Sequence, residues 1–398
     1  MSEKIQPKVR FSGFTDAWEQ RKLGEVTENF DEKRIPVDST LRENGNYPYY
    51  GATGIIDYVN HYLFDGEYIL LAEDGENIIA RTSPVAYLTH GRFWLNNHAH
   101  IMRMIKGSNI FLVNLLENIN YIKYNSGTAQ PKLNAKAVKN IEVSIPDNFE
   151  QSYIGQILET INTLIAANQS KLEELKTVKK LAMQKIFDQE WRFKGFTDPW
   201  EQRKLEDIKD PHDRYAFTGG PFGSDLKSEN YEKKGVRIIQ LQNIGDGQFL
   251  NRYKIYTSEK KAKELHSDLI YPGEIIIAKM ADPLARAAIV PKFDAKYLMA
   301  SDGIRLKVDK DKYDTYFILT SINSKNFRNM ALSNSTGTTR KRIGLQTLEN
   351  LTLSVPSKKE QIRIDSLIKS LDDLIAANQQ KCDQLKKVKK WCMQNLFV

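Results

Sequence analysis

The chain has 398 residues, enough for two or three domains each with its own core, so a small fold held by disulfides or a metal is excluded. With 41% hydrophobic and 27% charged residues it has the composition of an ordinary globular protein, with no shift marking a long disordered tail. Lysine and arginine number 58 against 50 acidic residues, a net charge of +8 that suits a polyanionic partner without requiring one.

The stretch MSEKIQPKVRFSG is polar from the start, and no run of ~18 apolar residues follows anywhere, which predicts a cytoplasmic protein with no membrane association. The run FSGFTDAWEQRKL from Phe11 comes next. Asp16 and Glu19 have the spacing of an N-cap and its N3 partner, which predicts a short helical turn, with Trp18 as a packed anchor. From 24 to 146 the chain is rich in short β-type runs with turns, such as YPYYGATGIIDYV, EYILLA and VAYLTH, and reads as a mixed, mainly β domain. Tyr47, Tyr49 and Tyr50 stand beside Gly51 and Gly54, either presenting rings to a groove or forming a strand edge packed on the core. His98 and His100 alternate as on a strand and have no partner cysteines, so no metal site is predicted.

A glycine turn, SGTAQPKL from Ser126, precedes Pro146. Asp147 and Glu150 then have capping-box spacing, which predicts a helix from Glu150 to Phe187. Ile154, Leu158, Ile161, Ile165, Asn168, Leu172 and Leu175 follow a 4,3 repeat, the a/d seam of a coiled coil. Asn168 sits in that seam, where it would set register by pairing with an equivalent asparagine. The lysines of the later turns, Lys176, Lys179 and Lys180, read as a solvated face and are assigned no DNA contact.

The chain then starts again. FKGFTDPWEQRKL from Phe193 matches the first run at 11 of 13 positions after 182 residues. LIAANQQKCDQLKKVKKWCMQNLF from Leu374 matches the block from Leu164 at 15 of 24 positions after 210 residues. Asp198, Pro199 and Glu201 repeat the cap signal around Trp200. The filling from 206 to 356 differs in sequence but is again mainly β, with VRIIQLQNI, EIIIAKM and GIRLKV. A second glycine turn, TGTTRKRI from Thr336, leads through Pro356, Ser357 and Glu360 into a second helix with the seam Ile364, Ile368, Leu371, Ile375, Asn378, Cys382, Leu385. Cys382 and Cys392 lie in this helical pattern and read as buried, reduced thiols.

Copied frames imply a shared geometry, and unlike fillings imply different contacts. At the glycine turns, Gly127 and Gly337 let the backbone approach a ligand closely, and Thr128 and Thr338 offer hydroxyls to phosphates or base edges. Lys132 in the first copy, and Arg340, Lys341 and Arg342 in the second, supply charge. Tyr49, Tyr50, Lys279 and Arg286 are further candidates for DNA contact. Ile161, Leu371, Asn168 and Asn378 are the candidates for helix pairing. Catalytic motifs are missing: DPW at Asp198 and DPL at Asp282 lack the second proline of an amino-methyltransferase motif. PGEIIIAK from Pro272 spaces its glutamate and lysine wrongly for a common nuclease, and GPFGSDLK from Gly220 is no phosphate-binding loop.

Two unlike domains, each entered through W-E-Q-R-K-L and followed by a G-T turn and a long helix ending L-x-x-L-K-x-x-K-K, resemble the specificity subunit of type I restriction-modification enzymes over essentially the whole chain. The resemblance implies an α+β fold: two mixed, mainly β target recognition domains joined by two long helices in an antiparallel coiled coil with pseudo-two-fold symmetry. The domains would be 1–149 and 188–359 and the helices 150–187 and 360–398. It implies double-stranded DNA as ligand, each domain reading half of a bipartite target. It further implies two modification subunits carrying S-adenosylmethionine for adenine methylation, restriction subunits using ATP and Mg²⁺, and no cofactor on this chain. The rival readings are a stand-alone pseudo-dimeric DNA-binding adaptor or regulator, which would purify alone, and an unfamiliar methyltransferase or nuclease.

Overall fold

The computed structural model describes residues 5–398, so the first four residues of the expected 1–149 domain lie outside it. The chain divides into two compact units, Met1–Lys171 with Asn378–Val398, and Leu172–Ala377.

The repeated EQRK run is a strand in both units, which corrects the expected helical turn. Glu19–Lys22 pairs antiparallel with Glu142–Ile145, and Glu201–Lys204 with Thr352–Val355. A local cap satisfies one or two backbone donors, whereas the ladder satisfies donors and acceptors along the whole run, so the tertiary pairing wins. Helical turns form only afterwards, at Leu23–Val26 and Leu205–Ile208.

The two fillings fold alike despite their sequences. In the first unit Thr27–Asn29, Ala99–Met104, Tyr68–Ala72 and Ala86–Thr89 form an antiparallel sheet in that order. A second sheet runs Gly54–Val59, Asn44–Gly51, Arg92–Leu95, Phe64–Asp65, with a parallel middle pair. The other unit repeats the first sheet as Phe217–Gly219, Gly303–Leu306, Ile275–Ala278, Ala287–Ile289. It repeats the second as Ile255–Thr257, Val236–Ile239, Tyr297–Met299, Leu269–Ile270, again with a parallel middle pair. The runs YILLA and IIIA are buried along their full length, as inner strands covered on both faces must be.

The long helices span Asn148–Phe187 and Lys358–Asn395, 40 and 38 residues. At ~1.5 Å per residue each is about 55–60 Å long. Their N-caps form as the sequence predicts: Asp147 Oδ1 accepts from the backbone N–H of Phe149 and Glu150 at 2.8 and 3.1 Å, and Ser357 Oγ from that of Glu360 at 3.4 Å. The capping glutamates do not complete the box. Glu150 instead receives both prongs of Arg10 at 2.8 and 2.7 Å and the Trp18 indole N–H at 3.2 Å. Glu360 receives Arg192 in the same way at 3.0 and 2.6 Å. These carboxylates are 0% and 1% exposed, and a planar guanidinium offers each the two parallel donors that a lysine lacks. The bond to the carboxylate holds each arginine's pKa above its usual value.

Beside each clamp lies an aromatic trio. Trp18 meets Phe111 edge-on at 5.9 Å, and Phe111 stacks on Phe397 at 5.4 Å. In the second unit Trp200 meets Phe317 edge-on at 5.9 Å, and Phe187 lies 5.7 Å from Phe317. Phe187 and Phe397 close the two copies of the helix block, so each core holds the start of one long helix and the end of the other. The first unit buries Ile154, Leu158 and Ile161 with Cys392, Leu396 and Phe397. The second buries Ile364 and Ile368 with Ile186. Within each unit the two helix segments therefore run in opposite directions, the expected antiparallel arrangement. Seam positions near the cores are buried, while Ile165, Asn168, Leu371, Ile375 and Asn378 are half-buried. The Asn168 amide donates to the Leu164 carbonyl of its own helix at 2.7 Å. Cys382 and Cys392 are buried free thiols, and among the described residues no helix is long and apolar enough to cross a membrane.

Removing Arg192 would leave a buried carboxylate uncompensated. Arg192→Ala is expected to lower stability by about 3–5 kcal/mol, and Arg192→Met with Glu360→Leu by less than the single change. Urea unfolding of the two variants beside wild type checks this; an Arg192→Ala loss under about 1 kcal/mol counts against the clamp.

Candidate nucleic-acid interface

Both glycine turns are closed loops in which a side chain at the glycine would collide with backbone. A Cβ on Gly127 would lie 1.9 Å from the Gln130 carbonyl oxygen. On Gly337, whose φ is +88°, it would lie 2.5 Å from that of Arg340. In the first loop Asn125 Oδ1 accepts from the backbone N–H of Gly127 and of Lys132, both at 2.9 Å, and Ser126 N–H donates to the Lys132 carbonyl at 2.8 Å. In the second, Thr336 and Arg342 exchange both backbone bonds at 2.9 Å. Each loop thus holds its tip outward on a fixed base, with Thr128 and Thr338 exposed.

The tips differ in charge. Lys132 lies 3.4 Å from Glu73, a carboxylate it shares with Arg34 at 2.7 Å, so the first loop's lysine has an anion beside it. Beneath it His100, 1% exposed, places Nδ1 2.6 Å from Asp31 and Nε2 2.7 Å from the Leu133 carbonyl. The neighbouring imidazole helps hold the Asp31 carboxyl below its usual pKa against the opposing effect of its burial. His98 turns instead to Asp74, at 2.8 Å. The second tip is exposed and cationic: Arg342 pairs with Asp302, while among the described residues no carboxylate lies within 4 Å of Arg340 or Lys341.

Several candidates point inward. Tyr49 is 1% exposed; its hydroxyl accepts from the Val37 N–H at 3.0 Å and the Arg42 guanidinium covers its ring at 4.4 Å. Tyr50 is half-buried against Phe93 and Tyr87, at 5.5 and 5.8 Å. Both rings pack on the core as the second reading of this tyrosine run has it, but on an inner strand, paired with Gly54–Val59 and Arg92–Leu95, and not on an edge; Tyr49 leaves the set of groove-facing candidates. Lys279 is also partly withdrawn: its ammonium donates to the Ser301 carbonyl at 3.1 Å, and burial pushes its pKa down. Its own carbonyl accepts from the Ile343 N–H at 2.9 Å, so it braces the base of the second loop.

Arg286 does reach an open surface. It lines a groove of about 1420 Å³ in the second unit together with Arg340, Lys341 and Lys325. The same groove is lined by Lys176, Lys179 and Lys180, the lysines that the sequence assigns to a solvated face. Their i, i+3, i+4 spacing puts them on one stripe, but Lys386, Lys389 and Lys390 have the same spacing in the second copy, so spacing alone does not single them out.

The comparisons with known proteins agree with this arrangement. The family described as "Type I restriction modification DNA specificity domain" matches residues 15–177 and again 197–387. A Haemophilus influenzae protein named as a candidate type I restriction enzyme specificity subunit is 28% identical over 359 residues, covering 89% of this chain and 88% of its own. The type I restriction enzyme MjaVIII specificity subunit of Methanocaldococcus jannaschii is 23% identical over 284 residues, covering 68% of this chain and 65% of that one. Among solved structures, the S subunit of a type I restriction-modification system from M. genitalium superimposes with a TM-score of 0.65 over 99% of both chains at 13% identity, a likeness of fold.

The second loop's geometry sets an expectation for its glycine. Gly337→Ala is expected to cost about 1–2 kcal/mol through left-handed strain and collision. Gly223→Ala, where a Cβ meets nothing within 4 Å, should stay within about 0.5 kcal/mol of wild type. Chemical denaturation compares the two, and equal losses contradict the strain.

Proposed function

We propose, on the premise that this chain belongs to the type I restriction-modification DNA specificity family, that each unit reads one half of a bipartite, asymmetric DNA target while the long helices set the distance between the halves. The observation that carries this reading is one strand topology used twice beneath loop tips of different charge. Identical scaffolds would approach duplex DNA in the same way, and unlike tips would meet different base edges. Gly127, Thr128 and Lys132 serve one half, and Gly337, Thr338, Arg340, Lys341 and Arg342 the other.

The chain is non-catalytic: it positions two modification subunits, which carry S-adenosylmethionine and methylate adenine at N6, and restriction subunits, which use ATP and Mg²⁺. This takes place where the DNA is, in the cytoplasm. A second apolar stripe supports two copies of one partner: Leu164 and Leu374, Val178 and Val388, and Leu181 and Trp391 are exposed at equivalent places on the two helices. A stand-alone regulator leaves that stripe without a role.

Two experiments test the reading. Arg340→Ala with Arg342→Ala should weaken target binding by about 1–3 kcal/mol per base contact, or flatten its salt dependence by about 1 per phosphate contact. Unchanged affinity, salt dependence and methylation pattern would remove these residues from the interface. Inserting four residues before Asn168 adds about 6 Å and roughly 40° of rotation. Methylome sequencing of the host should then show an altered spacer or no methylation; an unchanged spacer, or a continuous undivided target in the wild type, contradicts the two-reader scheme.

A further inference from the structure

The groove of the second unit has a wall for which the half-site reading gives no role. Its volume exceeds the roughly 300–1,000 Å³ of small-ligand pockets, and it is open to solvent, so it suits an extended polymer better than an enclosed molecule. Its lining carries eight lysines and arginines and four aspartates. Two of those aspartates are already engaged, Asp372 by Lys179 and the Tyr316 hydroxyl, and Asp246 by Arg328. Among the described residues no carboxylate lies within 4 Å of Lys180, Arg286, Lys325, Arg340 or Lys341. The Nε atoms of Arg286 and Arg328 are buried without a hydrogen-bond partner, and both residues belong to the same lining. From Lys176 to Asp188 the helical wall extends about 18 Å, the axial length of about five base pairs.

We infer that this groove takes the sugar–phosphate backbone of duplex DNA beside the half-site read by the second unit, with Lys180 and Lys325 as phosphate contacts. The inference rests on the DNA-reading function proposed above and adds to it a sequence-independent contact shared by the long helix, through Lys180, and the helix Lys325–Ser333, through Lys325. A lysine on a helix meets a phosphate as a point charge and carries no base information, so these residues would contribute affinity and fix the approach of the duplex without altering which sequence is chosen. The helix is then both a spacer and part of the DNA-binding surface.

The test uses the full chain and two duplexes, one holding the target defined by the host methylome and one with scrambled half-sites, with affinities measured between 50 and 200 mM salt. Lys180→Gln with Lys325→Gln is expected to flatten the log affinity–log salt slope by about 2 on both duplexes and to leave their affinity ratio and the methylation pattern unchanged. Lys260→Gln with Lys263→Gln removes the same charge from the helix Glu259–Glu264, outside the groove, and should leave the slope as in wild type. An unchanged slope in the groove variant, as would follow if an acidic protein segment were the occupant, overturns the inference. So does an equal flattening in the control, or a fall in the affinity ratio, which would make these base-reading residues. A wild-type chain that does not distinguish the two duplexes fails the proposed function instead.

Discussion

Each core is closed by a residue that arrives from the far end of the repeat. Phe397 stacks on Phe111 next to Trp18, and Phe187 packs on Phe317 next to Trp200. Because these phenylalanines close the two helix blocks, neither β domain is complete until a long helix has been built from the other copy's frame. Aromatic contacts of this kind contribute about 0.5–1.5 kcal/mol beyond the apolar area they bury. The bidentate arginine on each buried glutamate then fixes where the next helix leaves its domain.

Much of this was legible in the sequence. The doubled frame, the caps at Asp147 and Ser357, the seam and the glycine turns follow from spacing alone. The misreadings share a cause: local rules describe isolated segments, and the frame segments are not isolated. Asp16 and Glu19 carry a sound cap signal, but Glu142–Ile145, more than a hundred residues later, recruits the same stretch as a strand. Glu150 and Glu360 have capping-box spacing, yet Arg10 and Arg192 are stronger partners than one backbone N–H. Tyr49 beside glycines suggests a presented ring until the strand it sits on is seen to bury it. The shared topology of the fillings was not legible, because strand order depends on long-range pairing that unlike sequences can satisfy equally well.

Charge is the other place where sequence and structure part. Lys132 and Arg342 look equivalent to Lys341 in a string of letters, but Glu73 and Asp302 stand beside the first two and offset part of their charge, whereas no carboxylate among the described residues lies within 4 Å of Lys341. Net charge is therefore a poor guide to where an anion is met. What counts is which cations have no carboxylate beside them at an open surface, and in the second unit these lie on four separate segments of chain: the long helix, the segment around Arg286, the helix Lys325–Ser333 and the loop tip.

The two-stranded ribbons have a further consequence. Glu19–Lys22 with Glu142–Ile145, and Glu201–Lys204 with Thr352–Val355, bring the two ends of each filling side by side, and Leu23 and Leu205 seal the junction through bonds of 2.8 and 2.9 Å to the Ile141 and Leu351 carbonyls. A filling is thus an insertion held at a fixed, narrow neck, and the entropy of closing that neck grows only with the logarithm of what lies beyond it. A sequence that satisfies the same eight-strand order, and keeps an aromatic ring where Phe111 and Phe317 meet the helix ends, can occupy the position without disturbing the helices. The architecture separates evolvability from rigidity, leaving each filling free to drift while the ribbon and helices that hold it stay constant.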